Sequence, residues 1–255
     1  MIEKGLSRRT AVAALAAALA GCGGRDAEPV RLAQGPAPGQ DALEWAVAGR
    51  WRAADTREDE TRRPLETLRF LQLRPGDTVI DIWPGAGWWS RILAPYAAAT
   101  AGVYLAAQFE TGPGADRDVA ALVRGYRVSL RARPEVYGDV RLTTFGRDSG
   151  PLAPPATADL VFMPSRLHAL LAAGLAEKAM RDAYAALEPA GRLGVVQPRS
   201  APGALPDPTG ADERLPQPLV VRLAEEAGFL LESSALPAPS PAPDRMTLLF
   251  RKPAA

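Results

Sequence analysis

The chain has 255 residues, with 30 Lys or Arg against 29 Asp or Glu, a formal net charge of +1. Balanced charge, and the lack of a basic cluster interleaved with aromatics, argue against nucleic acid as a partner. A single cysteine, Cys22, and a single histidine, His168, exclude an intramolecular disulfide and the usual zinc sites.

Lys4, Arg8 and Arg9 form a basic head before a weakly hydrophobic run, residues 11–20, too short to span a bilayer as a stable helix. Ser7-Arg8-Arg9-Thr10 resembles the twin-arginine export signal, with Ala11 where a bulkier apolar residue is usual. Leu19-Ala20-Gly21-Cys22 resembles a bacterial lipobox, which implies cleavage before Cys22 and lipidation of its thiol. Residues 1–21 therefore read as an export signal and residues 22–40, rich in Gly, Pro and Gln, as a flexible tether. Residues 41–255 read as one domain, held at a membrane of the cell envelope or periplasm by acyl chains that do not span it. The plainer alternative for Cys22 is a free thiol near a loose end.

Residues 41–52 suit a helix with Leu43, Trp45, Ala46 and Val47 as apolar surface. The charged run 55–63 reads as a solvated segment. Pro64 then opens a helix in which Leu65, Leu68, Phe70 and Leu71 recur near helical spacing, and Arg74-Pro75-Gly76-Asp77 stops it. Residues 78–82 form a short apolar strand containing Asp81. It runs into Trp83-Pro84-Gly85-Ala86-Gly87 and a helix over 87–96. A strand, a tight glycine turn and a helix start can bring a nucleotide-like ligand against backbone N–H groups. Alternation continues with strand 102–107, helix 116–132, and strands 140–145 and 158–163. Helix 169–187, a stop at 188–191, strand 192–197, helix 219–227 and strands 229–233 and 246–251 follow. The strand at 158–163 is continuously apolar after Asp159, as a strand buried on both faces is. The order predicts an α/β domain with a mostly parallel sheet and an antiparallel end.

The segments Leu73 to Asp81, Asp159-Leu160-Val161-Phe162, Ala186 to Leu193 and Leu223 to Phe229 resemble those of the class I S-adenosylmethionine-dependent methyltransferases. Ile82 to Trp89, Leu93-Ala94-Pro95-Tyr96 and the tail Asp244-Arg245 through Pro253 are similar to a group of exported bacterial members. The resemblance implies a Rossmann-like fold, a seven-stranded mostly parallel sheet with an antiparallel last strand, and S-adenosylmethionine as cofactor. The acceptor it implies is a small-molecule or envelope substrate. A non-catalytic ligand-binding lipoprotein on the same fold is the alternative.

That likeness places the cofactor on Asp81, Trp83, Pro84, Gly85, Ala86, Gly87, Gln108 and Asp148. Trp83 stands where the first glycine of the motif is usual, and Gln108 where a carboxylate usually accepts the ribose hydroxyls. Asp81 either binds the methionine ammonium or caps the turn, and the glycines after it favour the ligand. Asp148 is either near the adenine or a loop acid. His168, just past the fourth strand, is either a general base or a structural histidine at a helix start. Trp88 and Trp89 divide between core packing and the substrate pocket. Arg166 and Arg199 are candidates for an acidic substrate, or are solvated. Gln197-Pro198-Arg199 replaces an expected Asp-His-Arg run. There is no Gly-x-Ser-x-Gly elbow, no Walker loop, and no third glycine of a nicotinamide fingerprint.

Overall fold

The computed structural model describes residues 35–201, 203–235 and 244–254. The export signal and Cys22 lie outside the described residues. A seven-stranded sheet runs in the order β3-β2-β1-β4-β5-β7-β6. Its strands are β1 (Thr78–Ile82), β2 (Val103–Phe109), β3 (Val140–Phe145), β4 (Ala158–Pro164), β5 (Leu187–Pro198), β6 (Leu230–Ala235) and β7 (Arg245–Arg251). Neighbours from β3 through β5 pair in parallel, and β7 runs antiparallel to both β5 and β6. This is the Rossmann-like sheet with one antiparallel strand that the order of elements predicts.

Side-chain alternation along β1 builds both layers. Val79 enters one core with α4 (Ser90–Ala99), while Ile80 and Ile82 enter the other. The Val79 side also takes residues from α1 (Ala42–Val47), α3 (Pro64–Phe70), α5 (Arg117–Ala132) and α6 (Pro134–Tyr137). The Ile80 side is covered by α7 (Leu167–Ala172), α8 (Ala176–Ala186) and α9 (Gln217–Glu226). Pro95 lies inside α4 and cannot donate to the Arg91 carbonyl one turn back. The indole Nε1 of Trp51 donates to that oxygen instead, at 2.8 Å, and ties the N-terminal segment to α4. Among the described residues no helix is long and apolar enough to cross a membrane.

Three local expectations need correction. The single helix over 169–187 is two, broken at Gly174 with φ +67°. Residues 188–191 belong to β5, because its early part pairs with Ala158 and the end of β7 bonds back through Ala190 and Lys252. The charged run 55–63 is ordered as a 3-10 turn (Thr56–Glu58) and α2 (Asp59–Arg62). Its charges meet partners that local sequence cannot show. Fully buried Arg52 pairs with Asp59 at 2.7 Å, and Arg91 pairs with Asp55 through Nε at 2.5 Å and Nη2 at 2.8 Å.

Candidate functional site

Connections diverge on either side of the β1/β4 pair, since β2 and β3 lie beyond β1 while β5 lies beyond β4. Open α/β sheets bind ligands at such a switch point, beyond the carboxyl ends of the strands. The turn leaving β1 has φ of +58° at Trp83, +61° at Gly85 and +84° at Gly87. Trp83 thus adopts the left-handed backbone that glycine takes freely, at a cost of roughly 1 kcal/mol or more. A Cβ at Gly85 would sit 2.6 Å from Nη2 of Arg166, and one at Gly87 2.8 Å from the Tyr126 ring. Among the described residues, the N–H groups of Gly85 and Ala86 have no backbone acceptor.

Asp81 lies on β1 just before this turn. It is completely buried, and the hydroxyl of Tyr104 donates to its Oδ2 at 2.8 Å. With the Tyr104 proton spent there, Ser90 Oγ donates to Tyr104 at 2.8 Å and Tyr126 donates to Ser90 at 3.0 Å. Oδ1 of Asp81 is buried without a partner. Burial pushes its carboxyl up to about 7, against the Tyr104 hydrogen bond and the Arg166 charge, which both lower it. Gln108 is also buried. Its Nε2 donates to the Gly85 carbonyl at 3.1 Å, which leaves Oε1 buried without a donor.

Over the turn lies a cavity of about 340 Å³. Trp83, Pro84 and Ala86 line it from the turn, Trp88 and Trp89 from the residues just before α4, and Ser165 and Arg166 from the turn just after β4. Three non-glycine residues of this lining, Trp83, Ser165 and Glu213, have positive φ. Backbone strain of that kind gathers at functional sites. Trp88 and Trp89 are both buried core members as well as lining. Arg52 and Arg62 lie over the Trp88 ring at 4.9 and 4.7 Å, and Trp89 meets Phe162 edge-on at 4.9 Å. The Trp83 ring packs on Phe109 at 4.6 Å, with the Arg166 guanidinium over it at 5.5 Å.

Several predicted residues lie elsewhere. His168 is buried and does not line the cavity. Gln197 Nε2 donates to the Glu213 carbonyl at 2.6 Å, so at 3.1 Å it also faces Nδ1 of His168 as a donor. His168 therefore accepts at Nδ1 and carries its proton at Nε2, and burial lowers its pKa. Arg199 pairs with Asp244 at 2.6 Å and lines a separate hollow. Asp148 is exposed on the loop after β3, outside the cavity. Asp55, Glu58, Arg62, Arg91, Glu213 and Arg245 complete the lining without having been singled out from the sequence. The Glu58–Arg62 spacing of four residues was the one local signal, and that ion pair closes at 2.6 Å.

No family model matches this chain, and no curated protein matches its sequence. Solved structures do match its fold. An S-adenosylmethionine-dependent methyltransferase from Aquifex aeolicus aligns with a TM-score of 0.57 at 16% identity, covering 84% of this chain and 100% of that one. One from Methanosarcina mazei gives 0.55 at 12% identity, covering 74% and 98%. The cyclase SpnF gives 0.56 at 15% identity, covering 82% and 85%. At these identities the likeness shows architecture alone. The chain has the Rossmann-like fold of the class I S-adenosylmethionine-dependent methyltransferases.

Proposed function

We propose that this protein is an S-adenosylmethionine-dependent methyltransferase of the bacterial cell envelope, acting on a small-molecule or envelope acceptor. The observation carrying the reading is the cavity itself, set over a glycine turn at the switch point of a methyltransferase-type sheet. One feature of the turn suits the cofactor: the Gly85 and Ala86 N–H groups are unspent donors. When bound, the cofactor supplies an electrophilic methyl group on a sulfonium. The protein's part is to hold that group, orient the acceptor and exclude water. Trp88 and Trp89 wall the cavity. His168, with its Nδ1 already accepting from Gln197, lies outside the cavity.

One observation favours a second reading, a non-catalytic binder on the same fold. The Trp83 ring packs on Phe109 at the end of β2, beside Gln108, whose neutral amide stands where a carboxylate usually accepts the ribose hydroxyls. Mass spectrometry of the protein purified natively from envelopes separates the two. An adenosyl ligand leaving with the protein supports the enzyme, whereas folded protein free of such a ligand favours the binder. The leader sequence supports export in folded form and a lipid anchor at Cys22. Palmitate labelling that disappears in Cys22→Ser is the expected result, and labelling that persists refutes the anchor.

A further inference from the structure

Buried polar atoms without partners are uncommon, and a group of them around one cavity describes the ligand they lack. On the residues lining the switch-point cavity these atoms are Nε1 of Trp83, Trp88 and Trp89, Oγ of Ser165, and Nε and Nη1 of Arg245. Every one of them can donate a hydrogen bond. The buried acceptor-only atoms without partners, on Asp81, Gln108 and Gln197, belong to residues outside the lining. The wall of the cavity thus holds buried donors that lack acceptors.

Charge points the same way. Of the lining arginines, Arg91 is neutralised by Asp55 at 2.5 Å and Arg62 by Glu58 at 2.6 Å. Among the described residues, Arg166 and Arg245 have no carboxylate within ion-pair distance, although both side chains are largely buried. Glu213, the remaining acid of the lining, is exposed at the rim. Two guanidinium groups held largely out of water and near Arg62, offset only by the more distant charges of Asp81, Glu58 and Glu213, are costly until an anion joins them. Arg166 comes from the turn between β4 and α7, and Arg245 from the start of β7. Bidentate guanidinium forks suit planar carboxylate and tetrahedral phosphate groups.

We propose that the cavity binds an oxyanion, a carboxylate or phosphate group of the methyl acceptor, between Arg166 and Arg245. The acceptor assignment rests on the methyltransferase reading, while the oxyanion site does not. A volume of about 340 Å³ lies in the range of small-molecule sites, so the acceptor is a small acid or the acidic end of a larger molecule.

The test uses tryptophan fluorescence of the full chain, because three of its five tryptophans line the cavity. Inorganic phosphate and succinate are titrated separately, without S-adenosylmethionine, against sodium chloride at matched ionic strength. A saturable change with either anion is expected, and the tighter of the two identifies which acidic group the site takes. Arg166→Gln and Arg245→Gln should each weaken it by about ten-fold or more, as loss of a charge-assisted fork does. If Arg245→Gln misfolds by circular dichroism, Arg166→Gln carries the test. Absence of saturation beyond the chloride control, or affinity unchanged in the folded variants, overturns the proposal. A parallel titration with S-adenosylmethionine keeps the two claims apart. Oxyanion binding without cofactor binding removes only the enzyme reading, and the reverse removes only this site.

Discussion

Replacing Asp81 by Asn tests whether the carboxyl under the turn is a cost to the fold or a support. Complete burial pushes that carboxyl from 3.8 up to about 7. The folded protein thus retains a proton that the unfolded chain releases near its ordinary pKa. The contribution of this group to stability is largest below about pH 4, falls as pH rises toward about 7, and is level beyond it. At about 1.36 kcal/mol for each pH unit, the displacement amounts to about 4 kcal/mol lost above both values. Asn at this position has no proton to lose, and its Oδ1 can still accept from Tyr104. Urea midpoints measured between about pH 5 and pH 9 should show Asp81→Asn more stable than wild type at about pH 8. The gap should narrow as the pH falls toward about 5. A variant less stable than wild type at the alkaline end would refute the reasoning. The ionised carboxylate would then be favourably paired, with Arg166 the nearest candidate.

Trp51→Phe should destabilise the fold by about 1–3 kcal/mol in urea titration, because it strands the Arg91 carbonyl that Pro95 cannot serve; an unchanged midpoint would show that water replaces the indole. Gly87→Ala should cost at least about 1 kcal/mol by the same assay, combining φ of +84° with a Cβ 2.8 Å from the Tyr126 ring. Neutral stability there would mean that the turn relaxes. His168→Gln should leave phosphate or cofactor affinity within about two-fold in titration, since the imidazole is outside the cavity. A loss of ten-fold or more in folded protein would return His168 to the site.

Local pattern carried the sheet well, because strands buried on both faces are written as apolar runs and the turn after β1 has its glycines in sequence. β1 and β3 fall on the residues their patterns predict. Gln108 was identifiable by position, but its bond to the Gly85 carbonyl depends on how β2 lies beside β1. The helix over 169–187 was overdrawn because one interior glycine does not reveal its positive φ. The cavity lining was the least legible part. Glu58 and Arg62 belong to a charged run that reads as solvent-facing, and they become lining through a fold that also brings in Arg245, nearly 200 residues downstream. Asp81 shows the opposite failure. Its place in the motif suggests ligand contact, yet strand alternation turns its side chain toward Tyr104 on the α4 face.

Calorimetric titration with S-adenosylmethionine and S-adenosylhomocysteine bears most directly on the central claim. The account predicts saturable heat with a dissociation constant in roughly the micromolar range. It also predicts loss of that heat in Gly85→Val, where a branched side chain meets φ of +61° and the Arg166 guanidinium. No heat from folded wild-type protein, or undiminished heat from folded Gly85→Val, would contradict the assignment of this turn to the cofactor.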